Sequence, residues 1–142
     1  METLQMTTLY KNTIRYFLIM FSMLLFTGMW MFIEHTSLNI QELQNYYTPK
    51  SFFGLLETVS PHLFAMGMVT FILTHFLALK KRNSFIESKL TLILFLLMLS
   101  SNLSGFFINE DSFLLLWVKL FSTLLFFILS LSLIIKVYFR TK

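Results

Sequence analysis

Apolar residues along this chain collect into four long runs separated by short polar segments: Tyr16–Ile33, Pro61–Leu79, Leu90–Ile108 and Phe113–Val137. A helix needs roughly 20 apolar residues to cross the hydrocarbon layer of a bilayer, so each run has the length and composition of a transmembrane span. Short connections between consecutive spans predict an all-α integral membrane protein, an antiparallel four-helix bundle forming one domain over residues 1–142. Lys11 and Arg15 precede the first run as they would in a secretory signal, but the run is long and no small-residue cleavage site follows it, so it reads as a retained span.

The connection between the first two runs carries its own pattern. Thr48 followed by Pro49 reads as a helix N-cap with proline at the first helical position, and Ser60 followed by Pro61 repeats that signal. A short helix is therefore expected ahead of the second span. At about 100° per residue, Phe52, Phe53, Leu55, Leu56 and Val59 gather on one side while Lys50, Ser51, Gly54, Glu57 and Thr58 take the other. That division predicts a helix lying in the outer membrane interface.

Composition agrees with a membrane protein, since 56% of residues are hydrophobic and only 13% charged. The formal net charge of +4 would suggest nucleic acid if the cations formed a face, but they sit in the segments between apolar runs and report orientation instead. Lys11 and Arg15 precede the first span, Lys80, Lys81, Arg82 and Lys89 fill the second connection, and Lys136, Arg140 and Lys142 close the chain. Both termini are thus expected in the cytoplasm of a bacterium, with the protein in its inner membrane and residues Glu34–Ser60 and Asn109–Ser112 facing outward. So strong a bias argues against a dual-topology antiparallel dimer. Trp30, Tyr46, Tyr47 and Trp117 fall near the outer boundary, where amphipathic rings settle. The chain has no cysteine, which excludes disulfides, thiolate metal sites and cysteine nucleophiles.

Ionisable and amide groups inside spans are costly, so each is a candidate site. Lys119 stands about 9 Å into the fourth span by helical rise, where it either snorkels outward or finds a partner inside. Ser122, Thr123 and Ser130 share its face. Asn102 lies in the outer half of the third span, where Ser100 with Ser104 and Ser101 with Gly105 make small-xxx-small pairs suited to close helix packing. His35 ends the first span and His62 begins the second at a matching depth, so one outer site, for a b-type haem or another ligand, could draw on both. His75 lies about 19.5 Å further along the same helix as His62 and roughly 140° away around it, which excludes one metal shared by those two and disfavours two stacked haems. Apart from a haem iron, no metal site is suggested. Together His35, Glu57, His62, Asn102 and Lys119 converge at one depth from all the outer elements, and this makes them the candidate ligand site.

Other chemistry finds no support. The sequence has no G-x-S-x-G, H-E-x-x-H, P-loop or G-x-G-x-x-G motif, and its acids at Glu2, Glu34, Glu42, Glu57, Glu87, Glu110 and Asp111 leave no carboxylate pair within a span. This argues against an enzyme with its own catalytic residues.

His35, the pair Tyr46 and Tyr47, the stretch KSFFGLLETVSPHLFAM from Lys50 to Met66, His75 and WVK from Trp117 to Lys119 form a pattern. It resembles an uncharacterised family of small four-span proteobacterial inner-membrane proteins. The resemblance implies an inner-membrane four-helix fold and brings no activity with it. Three functions are open on the sequence: an accessory or assembly subunit of a membrane complex, respiratory complexes included; a haem-binding redox protein with an outer histidine site; and a carrier or sensor of a small anion drawn by Lys119. The expected partners are the lipid bilayer and other membrane proteins or further copies of the chain, without nucleic acid.

Overall fold

The computed structural model describes residues 8–78, 85–109 and 112–141, with the side chains of 85–87 left out. Lys80, Lys81, Arg82, Glu110, Asp111 and Lys142 lie outside the described residues, as do Glu2 and the end of the second predicted span at Leu79. Five α-helices follow one another: α1 (Thr8–Thr36), α2 (Ile40–Tyr47), α3 (Phe52–Ala78), α4 (Phe85–Leu103) and α5 (Phe113–Thr141), with a 3₁₀ turn at Ser104–Phe107 continuing α4. Four helical segments are long and apolar enough to cross a membrane: α1, α3, residues Ser88–Phe107 and α5. Helix α1 overruns its apolar run at both ends and α5 overruns its run at the C-terminal end, because the run marks only the stretch that lipid must cover.

The fold is an all-α bundle in which α5 packs against α1, α2, α3 and α4. Its core has two parts. At the end away from α2, Ile14, Leu18 and Phe21 of α1 meet Leu73 and Leu77 of α3, Leu94 of α4 and Leu133, Ile134 and Val137 of α5. At the α2 end, Leu43 and Tyr47 of α2 pack on Leu55, Ile108, Leu116 and Leu120. Lipid tails are as apolar as these side chains, so close packing and interhelical polar contacts hold the bundle together more than hydrophobic burial does. Ser101 on α4 and Thr123 on α5 supply one such contact, with hydroxyls 2.8 Å apart. Arg140 supplies another, donating from Nη1 to the Leu77 carbonyl at 3.0 Å near the end of α3.

The short helix differs from the one expected. Residues 52–60 do not form a separate interfacial helix; they are the first turns of α3, which runs through Pro61 to Ala78. A proline costs a helix one hydrogen bond and crowds the preceding turn. Here side-chain donors serve the backbone around it: Thr58 Oγ1 bonds the Gly54 carbonyl at 3.0 Å and His62 Nδ1 bonds the Thr58 carbonyl at 2.7 Å. The N-cap of α3 is accordingly not Thr48. Ser51 takes that role, its Oγ accepting from Gly54 N at 3.2 Å and its carbonyl from Leu55 N at 2.9 Å. Thr48 instead ends α2, its N–H donating to Gln44 O.

The short helix of the fold is α2, whose N-cap lies nine residues before the one the sequence pattern suggests. Asn39 caps it through Oδ1 to Gln41 N at 3.0 Å. A tight corner joins it to α1, with Ser37 and Leu38 both left-handed at φ 44° and 53°.

Candidate functional site

Helices α1 and α3 touch through Phe17 and Phe76, whose ring centroids are 6.1 Å apart, and separate toward the α2 end. The space between them is a cavity of about 360 Å³, within the range of small-molecule sites. Leu24, Gly28, Met31 and His35 of α1 face Val59, His62, Met66 and Val69 of α3 across it. Tyr46 and Tyr47 of α2 line it near the loop end. Ser101, Asn102, Lys119, Thr123, Phe126 and Phe127 from α4 and α5 form the floor. Leu24, Gly28 and Met31 on one side and Pro61 and His62 on the other are exposed on the bundle exterior, so the cavity opens sideways between two transmembrane helices.

Lys119 does not snorkel. It is 6% exposed, and its ammonium turns inward to donate to the Ser101 carbonyl of α4. The same Nζ stands 5.0 Å from the centroid of the Tyr47 ring. Around it the polar groups are largely spent on one another. Thr123 Oγ1 donates to the Lys119 carbonyl at 2.8 Å and sits 2.8 Å from Ser101 Oγ. Asn102, 4% exposed, directs Nδ2 to the Met98 carbonyl at 2.8 Å and to Met66 Sδ at 3.3 Å. Among the described residues no carboxylate lines the cavity and none bonds Lys119.

The two histidines occupy the rim. His62 donates Nδ1–H to Thr58 O, which leaves Nε2 facing outward from that bond. His35 stacks on Tyr46, with centroids 5.1 Å apart and planes inclined by 22°. Lys50 places its ammonium 3.5 Å over the same Tyr46 ring and 5.7 Å from the Tyr47 centroid. Burial, with neighbouring Tyr46 as a lesser cause, pushes the Tyr47 phenol well above its ordinary range.

The structure thus brings His35, His62, Asn102 and Lys119 to one cavity. It does not bring Glu57, which is exposed and outside the lining. His75 is exposed toward the other end, stacked near Phe71 at 6.3 Å. Among the described residues no group of three or more histidine and acidic side chains is arranged to hold a metal ion. Of the small residues, Ser101, Ser104 and Gly105 are buried at the α4–α5 contact. Ser100 is half-exposed and bonds back to the Leu96 carbonyl at 2.7 Å. The main residue that sequence reasoning places elsewhere is Tyr47. Its pattern suggests an interfacial anchor, whereas the ring is buried against Gly105 and Lys119.

A bundle of four apolar helices with a laterally open cavity defines a multi-pass helical membrane protein. The chain belongs to the Aq_1264_TM family, a transmembrane helical domain whose match covers residues 34–141. That range contains α2 to α5 and every polar residue of the cavity floor, while most of α1 precedes it. No curated protein and no solved structure matches the chain.

Proposed function

We propose that the protein binds a small, membrane-soluble ligand in the cavity between α1 and α3 and acts as a carrier or sensor, without catalytic chemistry of its own. The observation that carries this is the cavity itself: about 360 Å³, walled mainly by apolar side chains, open toward lipid, with Lys119 and Asn102 converging on its floor. Such a binding role also suits an accessory subunit of a larger membrane complex. The cation bias supports an inner-membrane orientation with both termini in the cytoplasm, which puts the cavity in the outer leaflet.

The test is to purify the protein in mild detergent, extract what it carries and compare it by mass spectrometry with an Ala65→Trp variant. Ala65 lines the cavity, and the indole would fill it. A small molecule at near-stoichiometric yield in the parent and absent from the variant is expected. Equal extracts from both would sink the reading.

A second reading, a b-type haem on His62 and His35, is favoured by one contact. Histidine ligands commonly donate one ring N–H to a backbone carbonyl while the other nitrogen binds the metal, and His62 makes that bond to Thr58 O. An oxidised-minus-reduced visible spectrum, taken after expression with haem supplied, tests it. A b-type signal lost in both His62→Ala and His35→Ala supports that site, and a flat spectrum removes it.

A further inference from the structure

We infer that the cavity takes a single-tailed amphiphile whose head is an anionic oxygen group, carboxylate or phosphate, with Lys119 as its counter-charge. This rests on the ligand-binding reading above and names the ligand's chemistry.

Lys119 is a buried cation whose visible partners are one backbone carbonyl and one aromatic face. Removing an ammonium from water is costly, and an opposite charge in good geometry offsets that cost best. Among the described residues the cavity wall holds no such charge. A second cation stands near instead, outside the wall itself: the Lys50 ammonium lies 5.7 Å from the ring that Lys119 approaches at 5.0 Å. Two ammonium groups flanking one tyrosine make this end of the cavity electropositive, and the open space beside them accepts an anion.

Donor accounting places the head at Lys119. An ammonium has three N–H donors, and Ser101 takes one, leaving two for a pair of ligand oxygens. Asn102 has already committed its amide nitrogen to Met98 and Met66, and Thr123 its hydroxyl to the Lys119 carbonyl. Neither competes for the anion.

The rest of the lining sets the tail. Phe126 lies seven residues beyond Lys119, about 10 Å along α5, and it shares the wall with Phe127, Leu24, Leu25 and Val69. An apolar chain running from Lys119 toward Phe126 would therefore lie along the helices. It would enter sideways between α1 and α3, because the exposed rim residues belong to those two helices.

The experiment uses the full chain in phosphatidylcholine nanodiscs and three probes with one tail: decanoate, decyl phosphate and decanol. Calorimetry gives Kd for the parent, Lys119→Gln and Lys119→Arg, each checked for helicity and monodispersity. One or both acids should bind the parent about tenfold tighter than decanol, a preference kept by Lys119→Arg and lost by Lys119→Gln. Decanoate leading points to free carboxylic acids, and decyl phosphate leading points to phosphate heads. Protection of Lys119 from an amine-acylating reagent, followed by mass spectrometry on the parent, gives a readout that needs no variant, with the preferred acid protecting and decanol not. Equal affinity of acids and alcohol, or an acid preference that survives in Lys119→Gln, overturns the anionic head while leaving the cavity a ligand site. Failure of all three probes to bind overturns both readings.

Discussion

Gly105 lies against the ring of Tyr47 so closely that a Cβ on it would stand 3.1 Å from Tyr47 Cε1 and 3.9 Å from Lys119 Nζ. The absent methyl is what lets α2 settle onto the end of α4 beside the buried lysine. Gly105→Ala should cost about 1 kcal/mol through overpacking, and Gly105→Leu should lift α2 off the bundle. Thermal unfolding in detergent reads the first. Limited proteolysis within residues 37–51 reads the second, as faster cleavage than in the parent.

The corner before α2 holds Ser37 and Leu38 in the left-handed region, which side-chain-bearing residues enter at a cost. Leu38 is also half out of the core, so little packing is lost by removing it. Leu38→Gly should stabilise the protein by about 0.5 kcal/mol, measured as a rise in Tm. A fall in Tm would mean that the leucine side chain contributes more than the strain costs.

Ser101 and Thr123 join α4 to α5 by hydroxyls 2.8 Å apart. Interhelical hydrogen bonds of this type average about 0.6 kcal/mol in membranes. A double-mutant cycle with Ser101→Ala and Thr123→Val, followed by unfolding in a mixed detergent, should return a coupling of about that size. A null coupling would leave the α4–α5 contact to packing and the Lys119–Ser101 bond.

Burial raises the Tyr47 phenol, so it should be the last of the tyrosines to ionise in an alkaline absorbance titration. The folded chain keeps this phenol neutral while the unfolded chain ionises it near pH 10, so its contribution is whole below about pH 10 and is lost as pH rises through the folded value. Tyr47→Phe should flatten that alkaline decline in Tm.

Because the chain has no cysteine, single substitutions report orientation directly. If the proposed inner-membrane orientation holds, Asn45→Cys on the exposed face of α2 reacts with an impermeant maleimide once the outer side is accessible, and Ser88→Cys at the start of α4 only after lysis. The opposite order would invert the orientation.

Much of this architecture is written in the apolar runs, because the bilayer imposes a length and an all-helical backbone on anything that crosses it. The depth of Lys119 follows from helical rise alone. Its direction does not, since a four-carbon stem can carry the ammonium outward or inward, and only the nearby Ser101 carbonyl and Tyr47 ring decide. Proline misdirects the reading of residues 48–61: Pro49 and Pro61 look alike in sequence, yet one precedes a helix and the other sits inside it, where Thr58 and His62 serve the surrounding carbonyls. The signal for α2 is present as Asn39 followed three residues later by Glu42, a capping pattern in a segment too polar to stand out by hydrophobicity. Glu57 matches the site in depth alone: the same helical spacing sets it on the polar side, opposite Leu55 and Val59, and that side faces the exterior.

Helix α1 packs mainly on α5, the first long helix on the last, and barely on α3. During synthesis α1 leaves the ribosome well before its partner exists. Until α5 follows, α1 has lipid, α2, the Phe17 contact to α3 and whatever insertion machinery shelters it on its flank, and the pocket lacks the α5 half of its floor. Assembly is therefore completed when α5 arrives, and a chain shortened before Phe113 would lack the helix that joins α1 to the packed pair of α3 and α4.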